Sequence, residues 1–143
     1  MLVGEFPSET DLHHNHPFSG GNGLELSRML HEAGIMLSEC YVTYAVKTRP
    51  PGGQLYAWVA ATKKAITPAH SLLQDRYVTT EIIEGQKELL VEIAAVQPHL
   101  IVTFGNLPMW VLTGNWPVLK WRGSQLTTAA GIKVIPTIHP AMV

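Results

Sequence analysis

Cysteine is almost missing from this 143-residue chain: Cys40 stands alone. A single thiol excludes an internal disulfide and any cluster held by several thiolates of these residues, and it suits a reducing, cytoplasmic setting. Long apolar runs are missing too. Nothing approaches the roughly 20 residues that a membrane-spanning helix needs, and Met1-Leu2-Val3 enters an expected strand with no charged leader before it. Nor is there a surplus of either charge, since the formal net charge is -1. A polyanion would have to be recognised by a local patch rather than by bulk attraction. There are no repeats or low-complexity tracts. The glycine-rich stretch at 20–23 lacks both the Gly-x-Gly-x-x-Gly and the Gly-Lys-Ser/Thr patterns, which removes the common nucleotide-phosphate loops.

What is present suits one compact domain over residues 1–143, with 46% hydrophobic and 15% charged residues. Met1 to Val3 reads as a short strand ended by Gly4 and Pro7, and Ser8 to Gly23 as a long loop. Leu24 to Ala33 carries Leu26, Met29, Leu30 and Ala33 at helical spacing and stops at Gly34. Glu39 to Val46 is rich in β-branched and aromatic residues and meets Arg49-Pro50-Pro51, which predicts a second strand entering a turn. Residues 52–79 lack one clear period and read as an insertion with mobile parts, with a short helix expected over Leu55 to Lys64. Thr80 to Val96 is the clearest amphipathic helix, ended by Pro98. Leu100 to Phe104 is apolar throughout, as a strand buried on both faces would be, and Pro108 to Leu112 reads as a short helix. Val118 to Leu126 is expected as an edge strand or hairpin, and Ile132 to Pro136 as the last strand. Alternating strands and helices predict an α/β domain of three layers, α/β/α, around a mainly parallel four-stranded sheet.

Chemistry concentrates at the two ends of the chain. Gly4-Glu5-Phe6-Pro7 leads through Asp11 to Pro17-Phe18-Ser19-Gly20, and Ile135-Pro136-Thr137-Ile138-His139-Pro140-Ala141 lies near the other end. Each group closes an expected strand, which puts both on the carboxyl edge of a parallel sheet, where open α/β folds build their sites. Alone, each residue has a plain reading: His139 as a turn residue, Phe18 as core, Glu5 as a solvated carboxylate. His13, His14 and His16 have no cysteine or obvious fourth ligand beside them and read as a solvated loop, so no metal site is expected. Trp58, Trp110, Trp116 and Trp121 read as core or interface residues.

Three further blocks follow in order: Val42-Thr43-Tyr44-Ala45-Val46-Lys47-Thr48-Arg49-Pro50-Pro51, Pro98-His99-Leu100-Ile101-Val102-Thr103-Phe104-Gly105, and Arg122-Gly123. With the terminal motifs, the pattern resembles family-4 uracil-DNA glycosylases over nearly the whole chain. The resemblance implies a DNA partner and hydrolysis of the N-glycosidic bond of uracil or another altered base flipped from the duplex, in base-excision repair. Such chemistry needs an aromatic surface for the base, stabilisation of charge on the leaving base, and water presented to an oxocarbenium-like sugar. Phe18 is the stacking surface that fits this scheme. His139 is the hydrogen-bond donor to a base carbonyl, which a neutral imidazole can also be. Glu5, with Asp11 as second candidate, orients water or stabilises the cationic sugar. Lys47, Arg49 and Arg122, together with Lys63, Lys64, Arg76 and Lys120, are candidates for a phosphate-contacting rim, and Gly20, Gly21 and Gly23 permit close backbone approach.

The departures from the family pattern carry their own expectations. Tyr44 stands where the family has an Asn that pairs with uracil, so a phenol replaces an amide and adds bulk to the base site. Phe6 replaces a small Ala and Ser8 a Gly. Family members hold an iron-sulfur cluster through four cysteines, so with Cys40 alone the cluster is expected to be absent and no cofactor is required. The chain stops four residues past His139, where the family continues into a wedge and a final helix. It is expected to be trimmed at this end, leaving Met142 as the apolar wedge candidate. Tyr44, Phe6 and the short end favour a second reading: a glycosylase-like fold without catalysis, serving as a DNA-binding or protein-interaction module. Similar domains stand beside phage DNA polymerases, so that reading implies replication proteins as partners.

Overall fold

The computed structural model describes the backbone of residues 1–142 and the side chains of residues 1–141. Its centre is a five-stranded sheet. β1 (Leu2–Gly4), β2 (Val42–Tyr44), β5 (Leu100–Phe104) and β7 (Lys133–Thr137) run parallel, in the order β2-β1-β5-β7. The expected count of four strands is corrected by β6 (Leu126–Thr127), which pairs antiparallel with the free edge of β7. β3 (Ser71–Leu73) and β4 (Arg76–Val78) form a separate antiparallel hairpin.

Helices cover both faces of the sheet because successive strand residues point to opposite sides. Leu2 belongs to one apolar cluster, with Phe18, Tyr44, Phe104 and, from α2 (Gly21–Glu32), Leu26 and Leu30. Its neighbour Val3 belongs to the other, with Ile82, Leu89 and Ile93 of α3 (Thr80–Val96) and Leu107, Trp110, Val111 and Leu112 of α4 (Asn106–Thr113). α3 coincides with its periodic run. It starts after Thr79 in extended geometry and ends at Gln97, which turns left-handed just before Pro98.

Several boundaries differ from the sequence reading. The loop expected from Ser8 to Gly23 contains α1 (Glu9–His14), because Ser8 and Asp11 form a reciprocal capping box that stabilises a helix too short to show a period. Val118 to Leu126 reaches an edge strand only at its last residue, Leu126 of β6, and opens with the short helix α5 (Val118–Trp121), whose first amide donates to Asn106 Oδ1 at 2.7 Å. Leu55 to Lys64 yields only 3-10 turns, Leu55–Ala57 and Lys63–Ala65. The segment 52–79 contributes Trp58, Val59 and Val78 to the main core, and Trp110 Nε1 donates to Asp75 at 2.8 Å. Trp110 is fully buried, while the guanidinium of Arg76 lies 4.0 Å from the centre of the Trp116 ring.

The strand order places a switch point between β1 and β5, where connections leave in opposite directions, and the carboxyl ends of both strands face one crevice. Close packing of α2 on the first loop delivers residues to that crevice. A Cβ on Gly23 would lie 1.6 Å from the Phe18 carbonyl oxygen, whereas one on Gly21 would meet nothing within 4 Å. Gly23 is therefore a packing requirement. Gly23→Ala should lower stability by at least 1–3 kcal/mol, the usual cost of overpacking. Gly21→Ala should be neutral or slightly stabilising, and thermal denaturation of both variants distinguishes the two positions.

Candidate active site at the switch point

Glu5 directly follows β1 and turns into the crevice toward the start of α4. Leu107 N–H donates to its Oε2 at 3.2 Å, one of the amides that the first turn of a helix leaves unpaired. Gly105, at φ 92°, makes this approach possible, because a Cβ there would stand 2.9 Å from Glu5 Cδ. Burial raises the pKa of Glu5, and the Leu107 amide opposes that shift only in part. The carboxylate is thus held, at some electrostatic cost, with part of its hydration removed.

His139 follows β7 and faces the same space. Ala141 N–H donates to His139 Nδ1 at 3.1 Å, which leaves the proton of the neutral ring on Nε2. Burial lowers the His139 pKa, and the negative charge of Asp11 pulls the other way. The neutral donor is consequently the form present at neutral pH. Glu5 and His139 line one open cavity of ≈ 300 Å³ with Phe6, Ser8, Asn22 and Arg49. The walls come from the loop after β1, the first turn of α2, the segment after β2 and the turn after β7. The 3-10 turn Pro140–Met142 packs against α2 and closes that side.

Phe18 and Tyr44 stand apart from this cavity. Phe18 is buried, and its ring lies against that of Tyr44 with centroids 5.2 Å apart and planes 31° from parallel. Tyr44 therefore packs against the ring that was expected to stack a base, and little of that ring is open. Phe18 N–H donates to Tyr44 Oη at 2.9 Å, and the Tyr44 hydroxyl donates to Asp11 Oδ2 in a short hydrogen bond. Asp11 also accepts from Ser8 N–H and from the amide and hydroxyl of Ser19, so its oxygens are committed to the protein. Burial pushes the Asp11 pKa up, but these bonds outweigh it and hold the carboxyl below its usual range. Burial, reinforced by the bond to Asp11, pushes the Tyr44 phenol far above its ordinary value. Asp11, Tyr44 and Lys47 border a different hollow of ≈ 240 Å³.

The basic candidates divide in the same way. Arg49 lines the Glu5–His139 cavity and reaches the Pro7 carbonyl at 3.5 Å. Lys47 is tied to the Tyr44 carbonyl at 2.6 Å and to Glu92, so its charge is largely spent inside the fold. Arg122 is exposed at the end of α5, away from the cavity walls. Gly20 and Gly21 are exposed at the start of α2, with Gly20 at φ 81°. The Met142 side chain lies outside the described residues. Asn22 was missed by the sequence reading. Its only signal was being the one amide in a run of glycines at a helix start.

A four-thiolate cluster does not fit these residues. Cys40 is the only thiol, and its Sγ lies 3.5 Å from the Met36 carbonyl, to which it donates on the loop before β2. Among the described residues there is no group of three or more His, Cys, Asp or Glu able to hold a metal, and no helix long and apolar enough to cross a membrane.

An open, mainly parallel α/β sheet with a carboxylate and a neutral imidazole at its switch point defines the class to which the terminal motifs belong. The family model of the Uracil DNA glycosylase superfamily matches residues 1–143, and the chain belongs to that superfamily. It is 29% identical over 143 residues to the type-4 uracil-DNA glycosylase of Thermotoga maritima, with 99% of this chain and 64% of that protein covered. The type-4 uracil-DNA glycosylase of Saccharolobus solfataricus is 27% identical over 150 residues, with 99% of this chain and 60% of that protein covered. The chain thus spans less than two thirds of the length of either relative.

Two stability effects follow from the geometry. Because the folded state raises the Glu5 pKa, Glu5 binds its proton more tightly when folded, and stability is lost as pH rises through the folded value. Glu5→Gln removes that loss. Its melting temperature should exceed the wild type's at mildly alkaline pH, with the gap closing toward about pH 4, where Glu is protonated in both states. Tyr44→Phe deprives Asp11 of a donor and the Phe18 amide of its acceptor, and should cost about 1–3 kcal/mol in chemical denaturation.

Proposed function

We propose that this domain is a DNA glycosylase that hydrolyses the N-glycosidic bond of uracil or another altered base flipped out of DNA, in base-excision repair. The observation that carries this reading is the convergence of Glu5, His139 and Arg49 on one open cavity at the switch point. The bond between C1′ of the sugar and the base nitrogen breaks, and its electron pair leaves with the base, spreading onto a carbonyl oxygen. His139 Nε2–H donates to that oxygen and stabilises the charge as it develops. Water adds through oxygen to C1′, oriented by the Glu5 carboxylate, which also offsets the positive charge of the sugar and accepts the proton released. The products are a free base and an abasic site. Arg49 is suited to hold a phosphate at the mouth of the cavity. Membership of the superfamily and the two type-4 relatives support this reading. With one cysteine available, the proposal requires no iron-sulfur cluster, and it places the protein in the cytoplasm.

One observation favours a second reading. Phe18 is buried with Tyr44 against its ring, so little of the surface expected to stack a base is open. A domain that binds DNA, or a partner in a replication complex such as a polymerase, without cleaving would tolerate this.

Oligonucleotides carrying uracil, hypoxanthine, xanthine or hydroxymethyluracil, single- and double-stranded, separate the two after alkali reveals abasic sites. The glycosylase reading expects cleavage that falls by about 100-fold or more in His139→Ala, as for loss of a donor to developing charge. DNA binding with no cleavage of any substrate leaves the second reading. Where cleavage occurs, its rate should rise with pH along a limb above the ordinary carboxylate range, because Glu5 must be ionised and its pKa is raised. His139, with its lowered pKa, is neutral at neutral pH and adds no limb above it.

A further inference from the structure

Asn22 has no role in the chemistry described so far, yet it stands in the wall of the cavity. It is the second residue of α2, half-buried, and faces the space shared by Glu5, His139 and Arg49. Among the described residues, no hydrogen bond to its carboxamide is recorded, whereas Tyr44, Asp11, Lys47 and Glu5 all have protein partners. A half-buried amide facing a cavity keeps a donor and an acceptor for whatever enters.

The other polar groups on the walls define what that occupant must offer. His139 presents Nε2–H, and Arg49 presents only donors. Both seek carbonyl oxygens. A base edge with carbonyls on either side of a ring N–H satisfies these donors, but its own N–H then needs an acceptor. Asn22 Oδ1 is able to supply that acceptor without a charge, and its Nδ2–H₂ is able to donate to a carbonyl beside it. Phe6 contributes an aromatic surface to the same cavity, its ring edge-on to Trp58 at 6.2 Å.

We propose that Asn22 is the residue that reads the base: its carboxamide pairs with the lactam edge, –NH–C(=O)–, of an oxo-base seated in the cavity of Glu5 and His139, beside Phe6 rather than on Phe18. Tyr44 then packs against Phe18, and the amide for recognition comes from α2 rather than β2. This assignment rests on the glycosylase reading for its chemistry, but it concerns binding and can be tested without turnover.

The test uses labelled oligonucleotides containing 2′-fluoro-2′-deoxyuridine, which resists cleavage, or a tetrahydrofuran abasic analogue at the same position, with affinities read by fluorescence anisotropy. The wild type should prefer the uracil oligonucleotide. Asn22→Ala should reduce that preference by roughly tenfold, the worth of one or two hydrogen bonds, and leave affinity for the abasic oligonucleotide unchanged. Circular dichroism melts of the variant check that it is folded, and Asn22→Ser, which keeps a smaller donor and acceptor, should lie between the two. A wild-type preference that survives undiminished in Asn22→Ala overturns the role of Asn22 and leaves the base pocket standing. No wild-type preference overturns both the pocket and the role. Cleavage of uracil DNA by the wild type with an unaltered rate in Asn22→Ala likewise removes Asn22 while sparing the glycosylase.

Discussion

The carboxylate of Asp11 is the constraint on which the first third of the molecule depends. It is buried and ionised, which is tolerable only because four donors converge on it: the amide of Ser8, the amide and hydroxyl of Ser19, and the phenol of Tyr44. Through those bonds it caps α1, anchors the segment that leads into α2, and joins both to β2. Phe18 follows from this arrangement. Its backbone sits at φ 51°, a conformation costing about 1–2 kcal/mol for a residue with a Cβ, and its amide is held by Tyr44 while Gly23 admits its carbonyl. With the loop fixed in this way, α2 begins where Asn22 can line the cavity.

Glu5 and His139 obey a different logic. Each sits where burial disfavours its charged form, Glu5 shifted up and His139 shifted down. The pair resembles other sites in which titratable groups are moved apart from their ordinary values to serve chemistry at neutral pH. The fold bears the cost through the switch point, where Gly105 opens room for Glu5 and α4 offers it one amide. Stability and site chemistry therefore meet at the same few atoms.

Much of this was legible in the sequence, and the misses have physical causes. α3 and β5 were read to the residue, because a long apolar period and an uninterrupted apolar run reflect burial directly. α1 was invisible because six residues carry less than two turns of periodicity and owe their helix to a capping box. β6 was read as part of a longer strand because two residues of edge pairing leave no pattern. In the candidate site, Glu5, His139, Phe6 and Arg49 were named from motifs and share one cavity, since motifs mark strand ends and strand ends converge at a switch point. Phe18 and Tyr44 were named as base-binding, and sequence does not reveal that their rings lie against one another, tilted by 31°. Lys47 illustrates the same limit, its partner Glu92 lying 45 positions away on α3.

Tyr44 and Asp11 also shape how this protein can change over evolutionary time. Because each satisfies the other, neither position is free to drift by itself. Replacing the phenol removes one of the four donors to Asp11, and removing the Asp11 side chain leaves the phenol proton without its acceptor. The hydrogen bond therefore couples the two positions, so that a change at either one is felt at the other.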